Sequence, residues 1–542
     1  MRARVPRRAR DTQGYDDVKD ERGRAGRVLR AALARADAAC DALYGWRYNP
    51  LYQSGTIAVS ALVVLLVTGL YLLVFYRISD PWGSVARVSA QPLAGRWIRS
   101  MHRYASDAAL VAVAVHALRM FLQRRTWGAR ALAWLSGALL VFLFFLCGWT
   151  GFVMVWDGHA LALAAEGARL LDALPLFSEP VSRAFVGERE MPRAFFFLNL
   201  FAHIALPIAV GLALWIHVSR VARPTLLPPR PLLGGFVALL FAVALVMPVT
   251  AAPQANPLVL GQPLDLDWFY SFWLPASRQA PVALVWGAFL AATGLLVVVP
   301  WLTRPAPERR PPPSVVMERF CTGCEQCYED CPYGAISMVP RTDGRGGWVA
   351  RVDPALCVSC GICAGSCAPM GVGPAGRTGR DQLAAVRAFI DRERPRGEDV
   401  VLVGCDRSAL ALAAHDAPVF TVPCAGSMHS SVVEFLVRAG AGGVLVVACP
   451  PRDCWNREGA TWLEQRLFEG REAELKERVD RRRIALVWAG AAEGTVVADG
   501  LATLRRRIEA LGDRAEAEAP AAIEIDLQCD PPLVSAGERE DR

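Results

Sequence analysis

Lysine is nearly absent from this 542-residue chain: of 59 basic residues only Lys19 and Lys476 are lysine, and the rest are arginine. A skew this general is compositional. No basic helix interleaved with aromatics appears, so the net charge of +7 is not a nucleic-acid footprint and no nucleic-acid partner is expected. Histidine is scarce, with seven residues, and charged residues make up 20% of the chain against 53% hydrophobic. No Walker motif is present, and the glycines at 440–443 precede a β-branched run instead of following one, which excludes a nucleotide fingerprint. A Ser-His-Asp constellation and a carboxylate pair with a pocket signal are missing too. The chain also lacks a signal-peptide pattern, so its 15 cysteines are expected in a reducing compartment, as metal ligands and not disulfides.

The apolar excess is concentrated between 56 and 302. Six stretches there are long enough to cross a hydrocarbon core, which needs roughly 20 apolar residues: 56–76, 104–122, 134–156, 197–219, 232–250 and 281–302. Arg124, Arg125 and Arg130 follow the second, Arg220, Arg223 and Arg230 the fourth, and Arg304, Arg309 and Arg310 the sixth. They share a side with the Arg-rich tail 1–50. The positive-inside rule therefore puts both termini in the cytoplasm. On the other side, 77–100 carries arginines of its own, while 157–196 mixes in Asp157, Glu166, Asp172, Glu179, Glu188 and Glu190.

His102 and His116 lie on the second stretch, and His203 and His217 on the fourth. Each gap of 14 residues is two heptads, so each pair keeps one face, about 21 Å apart at 1.5 Å per residue. The two stretches run the same way, so His102 can face His203 near the outer side and His116 can face His217 near the inner side. Two stacked bis-histidine sockets are what two b haems require. Histidines that merely hydrogen-bond between helices are the plain alternative, although ionisable groups inside a membrane are functional by default. Gly55 and Gly69, and Gly137 and Gly151, repeat the 14-residue interval on the first and third stretches. A macrocycle pressed on a helix needs a residue without Cβ; close helix packing through small residues is the alternative. Arg99 and Arg119, three residues outside His102 and His116, could pair with haem propionates.

Over about 45–302 these residues resemble the cytochrome b of quinol-oxidising cytochrome bc complexes: the glycine pairs, Arg99-x-x-His102, His116-x-x-Arg119, Gly151-Phe-Val-Met-Val-Trp156 and the second histidine pair. Pro263-Leu-Asp-Leu-Asp-Trp-Phe-Tyr270 is similar to the Pro-Glu-Trp-Tyr loop that lines the outer quinol site in that family, with Asp267 for the Glu, Leu266 for the Pro and Phe269 for the Tyr. The resemblance makes Asp267 the acceptor of a quinol proton, beside Trp268. A short amphipathic turn that closes the bundle is the other reading of this loop. Relatives with an extra covalent haem carry a Cys where Gln53 stands, so none is expected here.

Eight cysteines fall in two runs, Cys321-x2-Cys324-x2-Cys327-x3-Cys331-Pro332 and Cys357-x2-Cys360-x2-Cys363-x3-Cys367, after a Pro- and Arg-rich linker. Three thiolates at this spacing wrap one corner of a cubane, and the fourth Cys of each run ligates the other cluster. Cys321, Cys324, Cys327 and Cys367 are thus expected to hold one 4Fe-4S centre, and Cys357, Cys360, Cys363 and Cys331 the other. Structural zinc is the alternative. The segment resembles bacterial two-cluster ferredoxins.

From about 398, β-branched runs at 399–404, 419–422, 443–448 and 484–488 alternate with amphipathic helices, which predicts a mostly parallel sheet. Cys405, Cys424 and Cys449 each fall just past a strand and Cys454 follows, at the carboxyl edge where such sheets bind ligands. Four converging thiols suit a small cluster, most simply 2Fe-2S, with buried small residues as the alternative. His415 and His429 read as surface or capping residues. Pro423-Cys-Ala-Gly-Ser427, Ala448-Cys-Pro-Pro-Arg-Asp-Cys454 and the 484–488 strand make 398–513 similar to the iron-sulfur delta subunit of methyl-viologen-reducing hydrogenase. Ser408 stands where those relatives carry a second Cys.

The expected fold is a six-helix transmembrane haem-binding bundle, a ferredoxin-like two-cluster domain and an α/β domain. The expected divisions are a tail 1–50, a bundle 51–302, a linker 303–316, a ferredoxin domain 317–372, an α/β domain 396–513 and a disordered acidic tail 514–542 with one strand at 523–527. Together the resemblances imply a multi-pass protein of a prokaryotic cytoplasmic membrane, with its iron-sulfur domains in the cytoplasm. It would exchange electrons between the quinone pool and a soluble flavin or iron-sulfur oxidoreductase, such as a heterodisulfide-reductase-like protein, a hydrogenase or a formate dehydrogenase. A homodimer is admitted. The chain has no nickel-ligating cysteine set, so it would not itself activate hydrogen. The rival expectation is a membrane anchor that docks such a partner without turning over quinone; bifurcation of quinol electrons would need a partner with a high-potential acceptor. Cys40, Cys147 and Cys529 have no assigned role.

Overall fold

The computed structural model describes residues 24–511, apart from short stretches at 124, 176–177, 186–190, 220–224, 251, 257–266, 305–310, 406–407, 409–415, 451–453, 455, 457 and 491–492. Pro263 to Leu266, His415, Cys529 and the whole of 512–542, including the expected strand at 523–527, lie outside the described residues, as do Arg124, Arg220, Arg223, Arg309, Arg310, Glu188 and Glu190. The chain divides into two compact units, one of residues 40–304 and one of 1–39 with 305–542.

The first unit is helical. Its long helices are α2 (Ser54–Phe75), α4 (Gly95–Leu122), α5 (Ala131–Val155), α7 (Arg193–Ser219) and α9 (Val282–Leu302), and these five are long and apolar enough to cross a membrane; α1 (Arg24–Tyr44), which begins in the other unit, precedes them. The fifth expected stretch forms α8 (Arg230–Val246) but ends at Val246, leaving 17 residues, about 25 Å at 1.5 Å per residue. Helix α4 starts nine residues before its apolar run. Arg96, Arg99 and Arg103 hide that extension from a hydropathy reading although nothing in them breaks a helix. The polar connections also hold amphipathic helices. Asp80 caps α3 (Pro81–Ala90) by accepting from the Gly83 amide at 3.0 Å, and Asp157 caps α6 (Gly158–Asp172) by accepting from the Ala160 amide at 2.9 Å. Helix α2 packs on α4 and α5 on α7, which pairs each glycine-bearing helix with a histidine-bearing one.

In the second unit, antiparallel pairs β1–β4 (Ser314–Val316 with Val372–Pro374) and β2–β3 (Ile336–Pro340 with Trp348–Val352) frame the two cysteine runs. A helix at Gly379–Glu393, opened by a Thr378/Asp381 capping box, leads into four parallel strands: β5 (Val400–Cys405), β6 (Val419–Val422), β7 (Gly443–Ala448) and β8 (Ile484–Trp488), in the order β6-β5-β7-β8. Central strands are apolar on both faces because both are covered. Val401, Val403, Val444 and Val446 pack under the helices at 379–393, 430–438 and 459–468; Val400, Leu402, Leu445 and Val447 pack under Val497, Leu501 and Leu504 of the helix at 494–511.

A buried charge network joins the cysteine runs to this sheet. Asp330 and Arg466 have fully buried side chains, 3.6 Å apart. Ser366 Oγ donates to Asp330 at 2.5 Å, the Arg471 guanidinium and the Gln326 amide donate to the other carboxylate oxygen, and Arg466 donates to Ser366 Oγ at 3.1 Å and to the Gly426 carbonyl at 2.8 Å. Burial pulls Arg466 down to about 10, with Asp330 opposing the shift. Asp330→Ala strands Arg466 in the core and should destabilise this unit by about 3–5 kcal/mol, whereas Asp330→Leu with Arg466→Met, which leaves only the partly exposed Arg471 with Glu329 near it, should cost less. Denaturant titration of the purified chain, followed by tryptophan fluorescence and cluster absorbance, checks the order.

Candidate metal centres

In the first unit His102 and His203 face each other with ring centroids 6.4 Å apart and planes at 62°. Two imidazoles that ligate one metal from opposite sides at about 2.0–2.1 Å would hold their centroids about 6.3 Å apart. Each of these two rings, like those of His116 and His217, rests against a glycine of the neighbouring helix. A Cβ placed on Gly55 would lie 2.9 Å from His116, one on Gly69 3.2 Å from His102, one on Gly137 3.3 Å from His217 and one on Gly151 2.9 Å from His203. Any other side chain would push the imidazole aside.

Hydroxyls that the sequence reading missed settle how three of these rings present themselves. Thr68 Oγ1 stands 2.9 Å from His102 Nδ1, Ser136 Oγ 3.1 Å from His217 Nδ1 and Thr150 Oγ1 3.0 Å from His203 Nδ1. Each hydroxyl already donates to a carbonyl of its own helix: Val64, Leu132 and Cys147. Its oxygen therefore accepts from the ring, so the proton sits on Nδ1 and Nε2 keeps its lone pair for a metal. The Cys147 carbonyl accepts from His203 Nδ1 as well, at 3.0 Å, which gives that segment a place in the site. The signal was present as Ser54-Gly55, Thr68-Gly69, Ser136-Gly137 and Thr150-Gly151.

The arginines are occupied. Arg99 donates to Ser89 Oγ at 3.0 Å and to the Val249 carbonyl at 2.9 Å. Arg119 is 1% exposed, with its guanidinium 5.9 Å from the Tyr52 ring. Asp267 pairs with Arg103 and accepts from the amides of Phe269 at 3.1 Å and Tyr270 at 2.5 Å, capping the turn that carries them. Trp268 points outward at 74% exposure, while Tyr270 is fully buried and bonded to Ser106.

In the second unit the thiols line three cavities. Cys321, Cys324, Cys327 and Cys367 line one; Cys331, Cys357, Cys360 and Cys363 line another; Cys405, Cys424, Cys449 and Cys454 line the third. Among the described residues no three His, Cys, Asp or Glu side chains gather closely enough for a single ion. The loops at 321–327 and 357–363 repeat one backbone pattern, with positive φ at Gly323 and Glu325 in the first and at Ser359 and Gly361 in the second. Amides of Ala335 and Gly371, each four residues past a Cys, donate to the Cys331 and Cys367 sulfurs at 3.3 and 3.2 Å. Burial pushes Cys363 up to about 12 and also raises Cys327, Cys360 and Cys367. In the third cavity the Cys454 thiol bonds Cys424 and holds it below the usual thiol range, helped by the Asn456 side chain, while Cys405 and Cys449 sulfurs are 2.9 Å apart. Ser408 turns its hydroxyl to the Cys405 carbonyl at 2.9 Å. His429 is buried and caps the helix at 430–438 by accepting from the Ser431 amide at 3.2 Å.

Were His102 and His203 to hold a haem, Thr68→Val, which keeps the shape and removes the acceptor, would weaken its retention by about 10- to 100-fold. Gly69→Val, which displaces the His102 ring, would abolish it. Haem per chain, after challenge with a haem-scavenging protein, checks both.

Three family models match the chain: cytochrome b/b6/petB over residues 42–223, a 4Fe-4S dicluster domain over 320–371, and the methyl-viologen-reducing hydrogenase, delta subunit, over 401–512. The cytochrome b subunit of menaquinol:cytochrome c reductase from Geobacillus thermodenitrificans is 26% identical over 177 residues, 32% of this chain and 79% of that protein. Its Bacillus subtilis counterpart is 27% identical over the same shares. A solved structure described as a hyperthermophilic respiratory Complex III aligns with a TM-score of 0.38 at 18% identity, over 48% of this chain and 78% of that one. Segment by segment, the chain is similar to the cytochrome b of bc complexes, to a 4Fe-4S dicluster domain and to the delta subunit of methyl-viologen-reducing hydrogenase.

Proposed function

We propose that this chain is the membrane-bound electron-transfer subunit of a quinone-linked oxidoreductase, joining the quinone pool to a soluble flavin or iron-sulfur partner. The observation that carries the reading is the His102–His203 pair, its ring centroids 6.4 Å apart, in a chain that also holds three thiol-lined cavities. When bound, haem and iron-sulfur clusters supply one-electron carriers. His102 with His203, and His116 with His217, would ligate two b haems. Gly55, Gly69, Gly137 and Gly151 would leave room for the rings, and Arg99 and Arg119 would lie near the propionates. The first two cysteine cavities would hold two 4Fe-4S clusters and the third a 2Fe-2S cluster.

Under this reading α8 makes a sixth, short span, and both termini lie in the cytoplasm with the iron-sulfur segments. Asp267 and Trp268 belong to the outer quinol site, where the carboxylate would take a proton once Arg103 releases it. A specific observation favours the rival: Asp267 is already committed to Arg103 and to backbone amides, as a residue that only closes the turn would be. In that case the chain docks a partner and turns over no quinone.

A menaquinol analogue, the quinol named in the relatives, added to the oxidised purified chain should reduce its haem, read in the visible bands. His203→Ala should remove part of that response together with part of the bound haem. Haem spectra that ignore both the quinol and a quinone-site inhibitor sink quinone turnover and leave the docking role. A second outcome concerns pH. Thiols raised as far as Cys363 are neutral near pH 7 without iron, so ligation expels protons and affinity rises with pH. Iron and sulfide retained by the chain should therefore fall on acidification from about pH 8 to about pH 5; retention independent of pH would contradict thiolate ligation by these residues.

A further inference from the structure

The cavity walled by Cys331, Cys357, Cys360 and Cys363 shares a boundary with the C-terminal one. Tyr333 lines the first and donates its hydroxyl to Asn456 Oδ1 at 3.2 Å. Asn456 lines the second and bonds the Cys424 sulfur with its amide. A hydrogen-bonded bridge thus runs from one cavity wall to a thiol of the next. Ile362, also on the first wall, makes a parallel contact. A Cβ on Gly459 would lie 3.0 Å from Ile362 Cδ1 and 3.3 Å from Cys424 Sγ, so both reach the same bare backbone. Next to it, a Cβ on Gly361 would lie 3.0 Å from Ser427 Cβ. The cavity of Cys321, Cys324, Cys327 and Cys367, by contrast, is lined by residues 316–372 alone. The Asp330–Arg466 network lies across the same boundary and fixes its spacing.

We propose that Tyr333, Asn456, Ile362 and Gly459 form the electron route between the cubane site of Cys331, Cys357, Cys360 and Cys363 and the C-terminal cluster site, so that this cubane, and not the other, is the C-terminal cluster's immediate redox partner. The proposal rests on the cluster assignment above. One electron leaves one cluster and enters the other, no bond forms or breaks, and the Tyr333 hydroxyl and Asn456 amide keep their protons. Transfer falls off steeply with distance and faster through gaps than along bonded contacts, which is why the shared wall decides the order. The cysteine set beginning at Cys321 becomes the far end of the series.

The full-length chain, reduced with dithionite and examined by EPR, tests this. Neighbouring paramagnetic clusters broaden each other's signals. In Cys324→Ala/Cys327→Ala, which removes the far cubane, the C-terminal signal should keep its broadening; in Cys357→Ala/Cys360→Ala it should sharpen. The reverse pattern, or an unbroadened wild-type signal with all clusters loaded, overturns the route and leaves the assignment standing. Iron no higher than the haem accounts for, with no acid-labile sulfide, overturns the assignment itself. Tyr333→Phe keeps the ring and every cysteine. It should leave midpoint potentials in place and slow electron exchange between the two clusters severalfold after flash reduction. An unchanged rate excludes Tyr333 from the route.

Discussion

The first unit depends on leaving room beside an imidazole. A helix surface normally presents a Cβ every residue, and at van der Waals distance that atom would occupy the space the four rings use. Four glycines remove it, and the hydroxyl residue before three of them then fixes the ring through Nδ1. Space and orientation come from adjacent positions of one helix. The packing of α2 on α4 and of α5 on α7 brings each of these glycines to a histidine. Such a helix surrenders apolar side chains at its tightest contacts, and the exposed Leu, Val and Phe on its other faces suit lipid.

The second unit is organised by the opposite means. Its cysteine runs make little apolar core of their own, and a buried carboxylate with two arginines binds them to the sheet. Every oxygen of Asp330 is engaged, which is the condition under which a buried charge is tolerated. The sheet itself needs no such device, since alternate residues of β5 and β7 feed two separate apolar layers.

Much of this was legible in the sequence, because spacing survives folding. The 14-residue intervals, the doubled cysteine pattern and the β-branched runs each encode a periodicity that the backbone must obey. The strands at 419–422, 443–448 and 484–488 lie where the runs predicted them. What escaped is equally physical. Thr68, Ser136 and Thr150 look like tolerated polar residues in apolar helices until a partner helix brings a ring to them. Arg466 sits in an amphipathic helix where an arginine ordinarily reads as solvated, and only the tertiary fold buries it. The helix at 379–393 begins at a capping box directly after the ferredoxin pattern, where no apolar run announces it. Asp267 was assigned from a loop resemblance, and the loop says nothing about Arg103, 164 residues away.

The closure of the Asp330 network has a consequence for timing. Many redox proteins set the pace of transfer by swinging a carrier domain between stations, which needs a hinge and a weak, wet interface. Here the joint between the cysteine runs and the sheet is charged, centred on the buried side chains of Asp330 and Arg466, and bonded in several directions at once. A joint of that kind cannot act as a clutch. Under the proposed function, control over the flow through this part would then come from the potentials of the sites themselves, or from a partner docked on the outside.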